Sequence, residues 1–317
     1  MTKQYLYIVD SLATLNPRTD TTLALMKEAK SRGIDNFACE IKDIFLSQGK
    51  LWFMSAPVAD CGAPAYTEKL CPRPADQFLI IFMRKDPPVD ERFLSALLML
   101  RYHDPKKSKM LNDPAGIMLA NEKLFGYQIA GKYFPPTLVA CDKAKLMAFI
   151  DEQECAVLKP LFYAGGSSIL VFDRRDRNLA SALEILTQRY SMPIMVQSYI
   201  ANVREGDKRI LVLGGKPIGA VMRVPKSNDH RANFHAGGRA KACKLDARDL
   251  EIVTAIAPHL VALGLHFVGI DVIGGYLTEI NVTSPTCLIE IESLSQEPHE
   301  QPLRSQVLDY VDGLLRN

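Results

Sequence analysis

Asp271, Glu279 and Asn281 are the residues in this chain best placed to do chemistry. They stand in Val268-Gly269-Ile270-Asp271-Val272-Ile273-Gly274-Gly275-Tyr276-Leu277-Thr278-Glu279-Ile280-Asn281-Val282, which is otherwise apolar and rich in β-branched residues. Two such strands around a glycine turn read as a β-hairpin. Carboxylates on apolar strands are costly to bury unless a cation or hydrogen bonds satisfy them. Hard oxygen ligands of this kind suit Mg²⁺, which takes one or two carboxylates together with substrate phosphates. Glu279 and Asn281 are two positions apart, so both face one side of their strand. A two-residue Gly274-Gly275 turn would pair Asp271 with Thr278 and turn Asp271 to the other face. A three-residue loop, Gly274 to Tyr276, would pair Asp271 with Glu279. Such partners lie about 4.5–5.5 Å apart at Cβ, close enough to share metal ions. The odd-length loop is therefore expected. A plain hairpin with edge carboxylates remains the alternative at this stage.

Other segments add weaker signals. Leu158-Lys159-Pro160 ends an apolar strand and leads through Leu161-Phe162-Tyr163-Ala164 into Gly165-Gly166-Ser167-Ser168. Backbone N–H groups of such a turn can cradle phosphate oxygens, and the lysine adds a point charge. It lacks the Walker A spacing, and a plain hairpin also accounts for it. Asp207-Lys208-Arg209 opens a strand with three charges, as a solvated strand end also would. Arg84 follows the apolar run Phe78–Met83. Ligands of open α/β sheets bind at the carboxyl ends of strands, so Arg84 could grip a carboxylate in bidentate fashion. A surface turn is the plainer reading. Val282-Thr283-Ser284-Pro285-Thr286 sets hydroxyls directly after the hairpin, where they could bind carboxylate or phosphate or form an ordinary turn.

The elements that must hold these residues alternate in type. A strand at Tyr5–Val9 precedes a helix from an Asp20-Thr21-Thr22 cap to about Arg32, stopped by Gly33. A buried strand at Phe78–Met83 and a helix at Arg92–Tyr102 continue the pattern, which favours a parallel α/β sheet. The stretch Gln48–Pro74 reads as a long loop. After a helix around Asn121–Ala130 comes an α+β unit: helix Asp142–Glu152, strands Ala156–Pro160 and Ser168–Phe172, helix Asn178–Tyr190 and strand Ile194–Gln197. Strands at Arg209–Leu213 and Pro217–Val224, a helix at Asp246–Leu263, the hairpin and a helix at Leu303–Leu315 complete the chain. The polar stretch Lys226–Gly238 between them lacks apolar anchors and is expected to be a mobile lid.

A chain of 317 residues exceeds one typical domain. Its net charge of +2 argues against a dedicated nucleic-acid binder. No apolar run approaches the roughly 18–20 residues of a membrane span. The first residues read as a strand rather than a signal peptide. The seven cysteines, Cys39, Cys61, Cys71, Cys141, Cys155, Cys243 and Cys287, are scattered without a C-x-x-C pair. They read as reduced cytosolic thiols, and the histidines show no H-E-x-x-H spacing.

Taken in order, several runs resemble bacterial glutathione synthetases, a family of ATP-grasp ligases. They are Met83-Arg84-Lys85-Asp86-Pro87-Pro88, Asn121-Glu122-Lys123-Leu124-Phe125, Leu158-Lys159-Pro160-Leu161, Gly206-Asp207-Lys208-Arg209, Ala236-Gly237-Gly238-Arg239 and Leu277 through Cys287. The resemblance covers nearly the whole chain. It implies an α/β, α+β multidomain ATP-grasp fold with an N-terminal Rossmann-like parallel-sheet domain. The implied domains are 1–122 for substrate, 123–203 as the central lid unit and 204–317 as the catalytic part. ATP and Mg²⁺ are the implied cofactors, with two metal ions on Asp271, Glu279 and Asn281 and Mn²⁺ as a substitute. Lys123, Lys159, Gly165, Gly166, Ser167 and Asp207 would face the nucleotide, with Gln197, Tyr199 and Ile200 as the adenine hinge. Arg209, Arg223 and Arg231 would be catalytic. Arg84, Asn233, Ser284, Thr286 and Glu290 would orient substrate. The γ-phosphate would pass to the carboxylate of a γ-glutamyl dipeptide, and glycine would attack the acyl phosphate. The resemblance further implies a cytoplasmic homo-oligomer acting on small molecules, away from nucleic acid and membrane.

The sequence also departs from the family pattern. Phe162-Tyr163-Ala164-Gly165-Gly166 stands where the family has roughly Asp-Gly-Met-Gly-Gly, and residues other than glycine adopt positive φ at a cost. Ser227-Asn228-Asp229-His230-Arg231-Ala232-Asn233 keeps the arginine and asparagine of the family's lid but not its glycines. Leu288-Ile289 before Glu290 lacks the family's arginine. A paralogue joining another amine or dipeptide, and a silent ATP-binding protein, are the competing readings.

Overall fold

Strands buried on both faces need continuous apolar sequence, and Tyr5 through Ile8 and Ile80 through Met83 supply it. The computed structural model describes residues 3–60, 62–121, 123–162, 169–226, 237–295 and 301–316. In the first sheet β1 (Gln4–Ile8), β2 (Asp35–Cys39), β3 (Ile44–Ser47), β4 (Lys50–Asp60), β5 (Ala63–Tyr66), β6 (Cys71–Pro74), β7 (Ile80–Met83) and β8 (Lys109–Leu111) follow in chain order. The spatial path is β3-β4-β2-β1-β7-β8, with β5 and β6 also paired to β4. β2, β1, β7 and β8 run parallel. Helix α1 (Thr21–Ser31) starts where the Asp20 carboxylate accepts from the Leu23 amide at 2.9 Å. Helices α2 (Glu91–Leu100), α3 (Pro114–Ala120) and α4 (Lys123–Ala130) follow.

The stretch expected to be a loop, Gln48–Pro74, instead holds β4, β5 and β6. Its alternation is real: Leu51 and Phe53 enter the core while Trp52 stacks on Phe45 with centroids 6.3 Å apart. The prolines of β6 hid the strand, since proline cannot donate to a ladder and sits only where no donor is needed. The Arg73 guanidinium donates to the Ser55 carbonyl beside them.

The second sheet, order β11-β10-β12-β9, is antiparallel. It contains β9 (Thr137–Ala140), β10 (Cys155–Pro160), β11 (Leu170–Asp173) and β12 (Ile194–Ser198). Helices α5 (Lys143–Gln153) and α6 (Leu179–Leu186) cover one face. Their Leu146, Ile150, Leu179 and Leu183 pack on Ala156, Leu158, Ile194 and Val196 as a separate core. Strict alternation along β10 turns Val157 and Lys159 to the uncovered face.

The third sheet, order β15-β14-β13-β16-β17, is also antiparallel. Its strands are β13 (Asp207–Leu213), β14 (Lys216–Val224), β15 (Arg239–Ala242), β16 (Phe267–Ile273) and β17 (Tyr276–Asn281). Helices α7 (Ala247–Ala262), α8 (Leu288–Leu294) and α9 (Leu303–Leu314) flank it. Short β15 and α8 were not anticipated. Both apolar faces of this sheet merge with those of the first sheet into two shared cores. Asn112 stitches the two sheets together: its amide donates to the Phe267 and Val282 carbonyls at 2.7 and 2.8 Å and accepts from the Phe267 amide at 2.8 Å. The first and third sheets thus form one body, and the second carries its own core beside it. Among the described residues no helix is long and apolar enough to cross a membrane.

Candidate active site

β16 and β17 pair Asp271 with Glu279, as the sequence led one to expect, but by another device. The turn has two residues, not three: Ile273 pairs with Tyr276 around Gly274 and Gly275, both at positive φ (56° and 78°). That is the glycine-dependent turn whose twist matches a hairpin. Register then shifts between Val272, paired with Leu277, and Asp271, paired with Glu279. Thr278 is the extra residue, and its hydroxyl donates to the Asp271 carbonyl at 3.1 Å. The bulge restores the parity that the two-residue turn would have broken. The Asn281 amide donates to Asp271 Oδ2 at 3.2 Å, so these side chains share a face.

Three adjacent strands set four buried charges beside them. Arg209 pairs across to Asp271, and Asp207 across to Arg223. Arg209 grips Asp271 in bidentate fashion at 2.5 and 3.0 Å. Arg223 bonds Asp207 and also reaches Asp271 at 3.0 Å. Gly269 makes this fit, since a Cβ there would stand 3.1 Å from Arg209 Cδ. Burial alone would raise the Asp271 carboxyl, but Arg209 and Arg223 overcome it and hold Asp271 well below the usual carboxylate range. Among the described residues Asp207 has one arginine bonded to it, Arg223; burial dominates there and pushes its carboxyl up. Asp207 Oδ1 and Arg223 Nε are buried with no hydrogen-bond partner among the described residues. Lys208, on the opposite face of β13, is no solvated strand end: it is buried and bonds Asp246 and Asp249 at the start of α7 at 2.9 and 2.5 Å.

From the second sheet, Lys159 Nζ donates to Gln197 Oε1 at 2.6 Å, and the Gln197 amide donates to Thr137 Oγ1 at 3.0 Å. Burial lowers the Lys159 ammonium to about 8, with Lys123 adding to the fall while Glu279, Asp207 and Asp271 oppose it. Lys159 therefore feels the hairpin across the gap between the sheets. Lys123 opens α4 and reaches the Leu161 carbonyl at 3.4 Å. Tyr199 and Ile200 sit half-buried in the connector from β12 to β13. Gln197 differs from a free hinge group, because its buried side chain is committed to Lys159 and Thr137.

Arg84 is buried at the end of β7. Its Nε donates to Thr22 Oγ1 and its Nη2 to the Pro285 carbonyl, both at 3.0 Å. Arg84 Nη1 and Glu290 Oε2 are buried without partners among the described residues. Burial pushes the Glu290 carboxyl up. Ser284 bonds the carboxylate of Asp86, a surface-exposed residue whose carboxyl is nonetheless raised by the loss of water around it. Thr286 Oγ1 lies 3.7 Å from the sulfur of buried Cys287, which adopts φ +82° at the head of α8. Burial pushes the Cys287 thiol up, and it senses Arg209, Arg223 and Glu290 together, so the substrate residues adjoin the charge quartet. Thr22, Asp86, Cys287 and Asn112 were missed as site or support residues. Thr22, Asp86 and Cys287 are signalled in the sequence only by lying within the helix cap or the family-like runs, and Asn112 by nothing. Gly165, Gly166, Ser167, Arg231 and Asn233 lie outside the described residues.

Asp271, Glu279 and the Asn281 amide offer oxygen donors of the kind a hard divalent cation takes. Among the described residues no cluster of three or more acidic, histidine or cysteine side chains stands as a ready-made metal cage. Two carboxylates plus an amide leave most of a Mg²⁺ shell to phosphates and water, which is its usual arrangement. Unpartnered buried atoms of both signs, Asp207 Oδ1 and Arg223 Nε, belong to residues linked to Asp271 through Arg223. The residues therefore fit a cation that arrives with a polyanion.

Residues 4–118 match the family described as prokaryotic glutathione synthetase, N-terminal domain, and residues 122–296 its ATP-grasp domain. A protein named glutathione synthetase from Thermosynechococcus vestitus is 41% identical over 307 residues, spanning 91% of this chain and 94% of the relative. One of the same name from Synechococcus elongatus is 42% identical over 301 residues, spanning 91% and 93%. Among solved structures, D-cycloserine synthetase DcsG superposes with a TM-score of 0.68 at 16% identity, covering 98% of this chain and 99% of that one. The ATP-grasp ligase PsnB complexed with a phosphomimetic variant of its minimal precursor, Mg and ADP gives 0.62 at 16%, covering 99% of both chains. At that identity the structural likeness establishes fold alone.

Proposed function

Because the chain belongs to the prokaryotic glutathione synthetase family, we propose that the cleft between its second and third sheets is where ATP and a γ-glutamyl dipeptide meet. The protein is an ATP-dependent ligase of ATP-grasp fold, and its reaction forms glutathione. ATP and a divalent metal are its cofactors and small molecules its substrates. The observation that carries the site is the buried quartet Asp207, Arg209, Arg223 and Asp271, flanked by Glu279 and faced by Lys159. Cationic and anionic groups converge there in a shielded space, as transfer of a phosphoryl group onto a carboxylate requires.

Asp271, Glu279 and Asn281 would hold Mg²⁺, two ions in this proposal, with Mn²⁺ as a substitute. The bound metal would neutralise charge on the transferring phosphate. Lys123 and Lys159 would hold the phosphates, with Gln197 fixing the direction of Lys159. Tyr199 and Ile200 would line the adenine end. As Asp271 engages the metal, Arg209 and Arg223 would turn from it toward the developing acyl phosphate. Arg84 and Glu290, with Ser284 and Thr286, would orient the dipeptide. The γ-phosphoryl group passes to a carboxylate oxygen as ADP leaves; the glycine amine then attacks the carbonyl carbon and inorganic phosphate leaves. Arg231, Asn233 and the residues Gly165, Gly166 and Ser167 keep the lid and phosphate roles that the resemblance implies. The division 1–122, 123–203 and 204–317, a cytoplasmic location and homo-oligomeric assembly belong to the same proposal. The test is ADP release with ATP and Mg²⁺, adding γ-glutamylcysteine and glycine singly and together. Turnover that needs both supports the reading. Turnover with neither, or silence while ATP still binds, overturns the substrate assignment.

A further inference from the structure

Arg248, in the first turn of α7, ties three separate parts of the chain together. Its Nε donates to the Gly275 carbonyl at 3.0 Å, inside the turn of the β16–β17 hairpin. Its guanidinium carbon lies 4.7 Å from the centre of the Tyr133 ring, within cation–π range. Its Nη1 bonds Glu251 Oε2 at 2.8 Å, and the Tyr133 hydroxyl donates to the other oxygen of Glu251 at 3.0 Å. Arg248, Glu251 and Tyr133 thus close a triangle. Tyr133 is buried and belongs to the short turn Gly131–Tyr133, which leads from α4 into β9. That turn is the first of two connectors to the second sheet. The other runs from β12 to β13, and it too meets the hairpin: a Cβ on Gly274 would stand 3.1 Å from Ile200 Cγ2 and 3.2 Å from Asn202 Cβ. One glycine turn therefore adjoins the second connector of the sheet that carries Lys159 directly and is tied to the first through Arg248. On its other side, Asp246 and Asp249 of the same helical turn grip Lys208, between Asp207 and Arg209.

We infer that Arg248 is a positioning residue: it brackets the metal-hairpin turn to the first connector and so fixes Lys159 of the second sheet relative to Asp271, Glu279 and Asn281. This rests on the site reading above. The second sheet has its own core, so its placement depends on a few such contacts rather than on shared packing. Arg248 and Glu251 are half exposed, so the bracket adds little global stability while setting local geometry. Groups that orient metal ligands from outside the site typically carry effects of about 10–100-fold.

The test compares the full-length wild type with Arg248→Met, which keeps an apolar stem but removes the bond and the charge, and with Arg248→Lys, which keeps a donor. Arg248→Met is expected to raise the Mg²⁺ concentration for half-maximal turnover about tenfold. It is also expected to speed amide hydrogen exchange at residues 131–134 and 199–206 in the ligand-free protein, with the thermal midpoint nearly unchanged. Arg248→Lys should recover part of both effects. A merely structural role would lower the midpoint and leave the Mg²⁺ requirement alone. Wild-type exchange at both connectors in Arg248→Met overturns the inference, as does a wild-type Mg²⁺ requirement despite faster exchange. A wild type that binds no MgATP would defeat the site reading instead, and the ligand-free exchange comparison would still judge the bracket.

Discussion

Lys159 should make nucleotide affinity fall across mildly alkaline pH. Burial lowers its ammonium from an ordinary 10.5 to about 8, although Glu279, Asp207 and Asp271 all pull the other way. In the ligand-free protein about three quarters of Lys159 is then charged at pH 7.5 and about a tenth at pH 9. If only the charged form holds phosphate, affinity for MgATP weakens about eightfold between those two values, and about tenfold per further unit. The stability sign is the opposite. A lysine whose pKa falls on folding binds more protons when unfolded between about 8 and 10.5, so ligand-free stability rises with pH through that window. Calorimetric titration of MgATP without dipeptide or glycine is the right assay, because it omits titrating groups of the other substrates. Lys159→Arg, with a guanidinium that stays charged, should give a flat profile whatever its absolute affinity. A wild-type affinity constant within twofold from pH 7.5 to 9, or an Arg variant that breaks at the same pH, would refute the reasoning.

Other substitutions test other parts of the site. Glu279→Ala should abolish ADP release while leaving the folded protein intact; wild-type turnover would remove Glu279 from the metal site. Arg223→Met leaves the buried Asp207 without its bonded arginine and should destabilise the protein by about 3–5 kcal/mol. Adding Asp207→Asn should return part of that loss, as read from denaturant midpoints. Asn112→Ala strands the Phe267 and Val282 carbonyls and the Phe267 amide, each at about 1–3 kcal/mol. Unchanged stability in that variant would show that the first and third sheets do not depend on this stitch.

Much of the site was legible because its chemistry contrasts with its surroundings. Asp271, Glu279 and Asn281 stand out on apolar strands, and the need of a metal site for one shared face pointed to the pairing of Asp271 with Glu279. The route to that pairing was not legible. The bulge at Thr278 is accompanied by a hydroxyl bond to the Asp271 carbonyl, and nothing in a threonine announces it. The capped helix at Asp20 and the apolar strand at Phe82 were readable from local rules. β4 and β6 were not, because the prolines and cysteine around them resemble loop chemistry while their pairing is set by β2 and Arg73. Lys208 misled for a similar reason: its partners Asp246 and Asp249 are distant in sequence, so only tertiary contact shows that the charge is buried. Arg223 likewise stood in an unremarkable strand, and its role depended on facing Asp207 across the sheet.

The most direct test of acyl-phosphate chemistry in this cleft follows an oxygen atom. γ-Glutamylcysteine carrying ¹⁸O in its C-terminal carboxylate would be turned over with ATP, Mg²⁺ and glycine, and the released inorganic phosphate weighed by mass spectrometry. Phosphate bearing one ¹⁸O atom for each glutathione formed is the expected result, because the carboxylate oxygen leaves with the phosphoryl group. Unlabelled phosphate alongside product would contradict it.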